Sequence, residues 1–222
     1  MNDAAEDALV STIARSISRE DMANLPIRRY EGEIRVVETR DDIEAARADF
    51  HSERVIGLDT ETRPAFRKGE SYPPALFQAA TARAVYLFRL NRTDAFPVLA
   101  ELLEASDIIK TGVALAYDLR SLKQLFPFTH RNIIDLGKVA HRHGLDQTGL
   151  RNLAGIFLSA RIPKGSKTSN WAARELTPAQ MTYAATDAWI CRELFMRFET
   201  LGLIEHAERL GEDDVQGRDA SV

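Results

Sequence analysis

With 222 residues, 45% of them hydrophobic and 28% charged, the chain has the composition of an ordinary globular domain and enough length for one sizeable core. Its single cysteine, Cys191, excludes an intramolecular disulfide and a cysteine-based zinc cluster, and no apolar run approaches the ~20 residues of a membrane helix. The formal net charge of -4 gives no overall basic footprint for a nucleic-acid partner, although it conceals acid-free basic stretches at residues 63–68 and 161–174. The start MNDAAEDALV lacks the basic end and apolar stretch of a secretory signal, so a cytoplasmic location without membrane association is expected.

Residues 1–30 read as a lead-in segment, in which Ser18 to Asp21 offer a helix-start pattern. The main domain is expected over residues 31–205, followed by a polar tail without structure over 206–222. GEIRVVET predicts a strand and DDIEAARADF a short amphipathic helix. RVIGLDTE is a strand apolar on both faces, which suits a central place in a sheet. ALFQAAT and AVYLFRL, two residues apart, predict a hairpin. A helix over about 95–105, a strand over DIIKTGVAL, a helix opened by Asp118 and a strand at NIIDL follow. From residue 149 the signal is helical, broken by a basic loop around 162–170, and the longest helix is expected from Pro178, after Thr177, to about Leu201. His141 and His143 fall in what reads as an exposed polar turn, and Cys191 reads as a small core residue. The pattern is that of an α/β fold, a mixed sheet flanked by helices, with no glycine-rich nucleotide loop.

The chemistry is concentrated in three short segments. Asp59 and Glu61 end a strand, where i and i+2 point to one face. Tyr183 and Asp187 are spaced i, i+4, which on a helix is also one face. Asp118 lies in ALAYDLRSL between them. Gathered carboxylates repel one another, and hard divalent cations such as Mg²⁺ or Mn²⁺ are what oxygen ligands of this kind resolve that repulsion with. Singly, each residue has a structural alternative: Asp118 as a helix cap, Glu61 as a solvated strand end, and Tyr183 with Asp187 as a hydrogen-bonded pair. Asp135 in NIIDL is read as a strand-end turn residue rather than a fifth ligand.

In order, spacing and flanks, the segments LDTET, VALAYDLRSLK and YAATDAW resemble the three motifs of the DEDD 3′–5′ exonucleases, in the subgroup with tyrosine in the third. TRPAFRKGESYPPALFQAAT, GLRNLAGIFL and SNWAARELTPAQ agree as well, so the resemblance runs from about residue 30 to about 202. It implies a ribonuclease-H-like fold and hydrolysis of DNA or RNA from a single-stranded or accessible 3′ end, releasing nucleoside 5′-monophosphates. It also implies two divalent cations held by Asp59, Glu61, Asp118 and Asp187, with Tyr183 positioning the attacking water. Thr60, Arg63, Lys68, Lys164, Lys167 and Trp171 are the candidate nucleic-acid contacts, and Phe66 and Tyr72 interleave with the basic residues as bases would require for stacking. A non-catalytic nucleic-acid-binding module on the same fold, or an endonuclease of this fold, are the competing functions.

Overall fold

The computed structural model describes residues 13–204 except 66, 68 and 166–168. Phe66, Lys68, Lys167 and the tail 206–222 therefore lie outside the described residues. The order is α1 (Arg19–Asn24), β1 (Glu33–Val37), α2 (Arg40–His51), β2 (Val55–Thr62), β3 (Pro74–Ala80), β4 (Ala84–Arg89), α3 (Phe96–Glu104), β5 (Ile109–Gly112), α4 (Leu115–Leu122), β6 (Ile133–Asp135), α5 (Leu136–Arg142), α6 (Leu150–Leu158) and α7 (Pro178–Thr200). The six strands form one sheet in the order β1-β4-β3-β2-β5-β6. Only β3 runs against the rest, as the second arm of a β2-β3 and a β3-β4 antiparallel pairing. The predicted hairpin and the mixed sheet are both present, and β2 is internal, between β3 and β5.

Strand alternation feeds two cores. Ile56, Leu58, Phe77, Ala79, Tyr86 and Phe88 join the cluster that contains residues of α2, α3 and α4. Val55 faces the other way with α5, α6 and α7, while Leu76, Ala80, Val85 and Leu87 meet Ala184, Ala185 and Ala188 of α7. The odd positions of β2, and hence Asp59 and Glu61, belong to the α7 side. Helix α7 crosses β2 at Gly57, where a Cβ would press into the Ala188 carbonyl oxygen and sit 2.7 Å from the Arg192 nitrogen. That contact sets how near the strand and helix motifs can come.

Local sequence explains most helix starts. Thr177 caps α7 in a reciprocal capping box with Gln180, with Pro178 in the first turn, and Ser18 caps α1 by accepting from the Asp21 N–H. Helix α4 departs from expectation. The strand before it stops at Gly112, Ala114 takes a left-handed conformation (φ 59°), and the helix starts at Leu115, so Asp118 is inside the first turn and not its cap. The cap is Asp135, which is buried. Its carboxylate accepts from the Ala114 and Leu115 N–H groups, both at 3.1 Å, and from Gly137 N–H at 2.9 Å and Lys138 N–H at 3.4 Å. One side chain thus satisfies orphan donors at the starts of α4 and α5, the structural role expected for it. Helix α5 itself was not anticipated: His141 is exposed in its last turn, and His143, beyond it, is half-buried with its Nε2 3.1 Å from the Leu203 carbonyl oxygen. Cys191 is in the core, and among the described residues no helix is long and apolar enough to cross a membrane.

Candidate active site

The end of β2 and the second turn of α7 meet at a cluster of acids. Asp59, Glu61 and Asp187 each place a carboxylate oxygen within 4.8 Å of the others. Asp118 approaches from the opposite side of the sheet edge, and Thr60, pointing away from Asp59, donates its hydroxyl to Asp118 Oδ1 at 2.5 Å. Thr60 therefore reaches a carboxylate rather than open cleft. The structure brings together Asp59, Glu61, Asp187 and Tyr183, with Asp118 adjacent through Thr60.

No lysine or arginine forms an ion pair with Asp59, Glu61 or Asp187 among the described residues, and the electrostatics register this. Burial, then Asp187 and Asp118, pushes Glu61 up to about 8. Asp59 is raised well above the carboxylate range by burial and by Asp187, Glu61 and Asp118 in turn. Burial raises Asp187 to about 6, against the Tyr183 hydrogen bond and the charge of Arg151, which lower it. Asp118 is also raised by burial, against the Thr60 hydrogen bond. Such a set of close, unneutralised hard oxygens fits a divalent cation held by Asp59, Glu61 and Asp187.

The same shifts have a sign that can be tested. A carboxylate whose pKa rises on folding takes up protons more readily folded than unfolded. Its penalty is absent below its unfolded value near ~4 and grows as pH rises through about 6 and about 8. The metal-free protein is expected to lose thermal stability from about pH 5 to about pH 8, and Mg²⁺ or Mn²⁺ to raise the unfolding midpoint by several degrees more at the upper pH. Differential scanning fluorimetry across that window checks this; equal metal-induced shifts at both ends would contradict it.

Tyr183 hydrogen-bonds to Asp187, and burial followed by the Asp187 charge pushes its phenol pKa upward. Gly165 lies flat against its ring, where a Cβ would come within 2.5 Å of Cζ. Trp171 is buried, at 5% exposure, among Leu76, Leu87 and α7, with its ring centre 6.0 Å from that of Tyr183. Its packing is that of a core residue, although it also borders the cleft. Tyr183 lines both of the cavities that contain the acids. One, of about 1010 Å³, contains Asp59, Asp187, Arg151 and Lys164; the other, of about 230 Å³, contains Glu61, Thr62, Gly165, Ser169 and Trp171. Lys164 lines the larger one, as a phosphate contact requires, whereas Arg63 stacks over the Tyr72 ring at 4.1 Å. Sequence reasoning missed Arg151, Arg161 and Arg19 in the larger cavity and exposed Tyr117 beside Asp118; the basic character of residues 161–174 was the available signal for Arg161 only.

Comparison with known proteins agrees with this geometry. A family model described as 3′–5′ exonuclease matches residues 34–202. The chain is 33% identical over 144 residues to ribonuclease D of Haemophilus influenzae, a match covering 63% of this chain and 35% of that protein. It is 29% identical over 154 residues to the bifunctional 3′–5′ exonuclease/ATP-dependent helicase WRN of Mus musculus, covering 67% of this chain and 11% of the relative. Both matches span well under half of the relative's own length. Among solved structures, the Nibbler EXO domain of Aedes aegypti superposes with a TM-score of 0.69 at 24% identity, over 79% of this chain and 91% of that one. Ribonuclease D of Escherichia coli gives 0.65 at 24% identity, over 78% and 47%. These likenesses show the ribonuclease-H-like fold. Because the family match takes in β2 with its two acids, α4 with Asp118 and α7 with Tyr183 and Asp187, the chain belongs to the 3′–5′ exonuclease family.

Proposed function

We propose that the chain removes nucleotides one at a time from the 3′ end of single-stranded or 3′-accessible nucleic acid, releasing nucleoside 5′-monophosphates, as a member of the tyrosine-bearing DEDD subgroup. The observation that carries this reading is the mutual approach of Asp59, Glu61 and Asp187 within 4.8 Å, with no ion pair to them from a lysine or arginine among the described residues. Bound Mg²⁺ or Mn²⁺ supplies the charge that lets a water attack near neutral pH and that stabilises the leaving oxygen. The protein's part is to hold the acids side by side, to fix Asp118 through Thr60, and to orient the attacking water.

Tyr183 is suited to the last of these with its proton kept rather than as a base: its O–H donates to Asp187, which leaves the phenol oxygen to accept from the water. Its phenol pKa is raised, so it keeps its proton through the physiological range. Its hydrogen bond fixes one oxygen of Asp187. Tyr183→Phe is expected to lower kcat roughly tenfold to a hundredfold, the size of one hydrogen bond to a charged group, with little change in metal affinity. Steady-state kinetics beside Mn²⁺ titration checks this, and an unchanged kcat would remove Tyr183 from the mechanism.

The reading as a whole is tested by 5′-labelled single-stranded DNA and RNA of equal sequence incubated with Mn²⁺, Mg²⁺ or EDTA. A metal-dependent ladder shortening from the 3′ end is expected, with closed circular single strands left intact. Binding without cleavage would leave a nucleic-acid-binding module, and cut circles an endonuclease.

A further inference from the structure

The segment before β1 is fastened along the mouth of the larger cavity. The Asp146 N–H donates to the Arg15 carbonyl at 3.0 Å, and the Ile17 N–H to Gln147 Oε1 at 3.1 Å. Met22 rests on Gly155, where a Cβ would meet its Cε at 2.6 Å. Arg28 N–H donates to the Arg161 carbonyl at 3.0 Å, Arg161 N–H to the Pro26 carbonyl at 2.9 Å, and Tyr30 N–H to Thr186 Oγ1 at 3.0 Å. Residues 15–30 thus run as a strap over α6, the 161–163 loop and α7. They precede the residues matched by the family model, which begin at 34.

The strap makes one wall of the cavity that has Asp59 and Asp187 at its base. Arg19 comes from the strap, Arg161 from the loop whose backbone is bonded to it, and Arg151 and Lys164 from α6 and that same loop; among the described residues the acids lining it are Asp59 and Asp187. The buried Nε of Arg161 has no hydrogen-bond partner among the described residues. Ile17, Met22 and Ile27 add apolar surface between the cations, and charge alternating with apolar faces is what a single strand of phosphates and bases requires. At about 1010 Å³ the space is at the upper limit of small-molecule pockets, room for more than one nucleotide. Among the described residues, the smaller cavity beyond Tyr183 has no lysine or arginine in its lining.

We infer that the strap is a substrate-binding element, in which Arg19 acts with Arg161 to hold phosphates of the single strand 5′ to the bond being cut, while the terminal nucleotide enters the smaller cavity. This rests on the exonuclease reading only for the direction of the strand. Charge distinguishes the two cavities: upstream nucleotides bring successive phosphates, and among the described residues the larger cavity has the cations of the two.

The test is fluorescence anisotropy of a labelled single-stranded thymidine oligonucleotide, about twelve residues long, across a salt series. It is run in the Asp59→Asn background with Mg²⁺, so that the strand is not consumed. Arg19→Glu is expected to weaken binding about tenfold or more and to reduce the slope of log affinity against log salt by about one. Arg19→Lys should stay close to the parent. Arg19 is exposed, so the unfolding midpoint of both variants should match the parent's. Unchanged affinity and slope in Arg19→Glu, or no binding by the parent at all, would overturn the inference. A protein that binds through Arg19 yet yields no degradation ladder would instead overturn the exonuclease reading and leave the strap's role standing.

Discussion

Asp59→Asn is expected to cut hydrolysis by roughly a thousandfold or more, about 4 kcal/mol of transition-state stabilisation, while the fold persists. Asp59 is the acid on which every other charge of the site acts: Asp187, Glu61 and Asp118 each raise its pKa, after burial itself. An amide of the same shape keeps the packing of β2 but removes a negative charge from the carboxylate cluster that could hold a cation. The same substitution relieves repulsion in the metal-free protein. Loss of activity should therefore accompany an equal or higher unfolding midpoint in EDTA, a combination that damage to the fold cannot produce. Asp187→Asn should act in the same direction. Turnover retained in both variants would end the exonuclease reading.

Gly57→Ala is expected to destabilise by about 3 kcal/mol or more, at the upper end of overpacking costs, and to reduce activity with it. The atoms a new methyl group would meet are the Ala188 carbonyl oxygen and the Arg192 amide nitrogen. Neither can rotate away as a side chain would, so β2 and α7 must separate. These are the elements that carry Asp59 and Asp187, whose distance defines the site. Gly149→Ala is the control: nothing lies within 4 Å of its added methyl group, and its backbone (φ -72°) suits any residue. Urea unfolding of the two variants should show a large loss for the first and little change for the second. Equal midpoints would mean that the strand and helix adjust freely at their crossing.

The parts of the site that were legible in the sequence are those governed by neighbours along the chain. Asp59 with Glu61, and Tyr183 with Asp187, follow from strand and helix periodicity. The start of α7 follows from Thr177, Pro178 and Gln180, which act within one turn. The internal place of β2 follows from its apolar run, and the hairpin from its two-residue gap. What could not be read depends on distant partners. Helix α4 begins three residues before Asp118 because a carboxylate some twenty positions later caps it. Trp171 sits in a basic stretch, yet α7 and the sheet bury it. Arg151 looks like any exposed helix cation until α7 brings Asp187 within its field. The lead-in segment gives a correct cap at Ser18 but no local sign that its backbone is tied to Gln147, Arg161 and Thr186.

The capping of α4 by Asp135 bears on how portable the catalytic motifs are. Helix α4 has no side-chain cap of its own, and its left-handed lead residue, Ala114, is held by that carboxylate. The stretch ALAYDLRSLK therefore does not contain the instructions for its own geometry. Grafted alone into another scaffold, it would bring the acid without the angle. The smallest transferable unit spans β5, α4 and β6, because the third strand carries the residue that aims the helix. An exchange at Asp135, remote in the chain, would misdirect a helix that still looks intact in its own sequence.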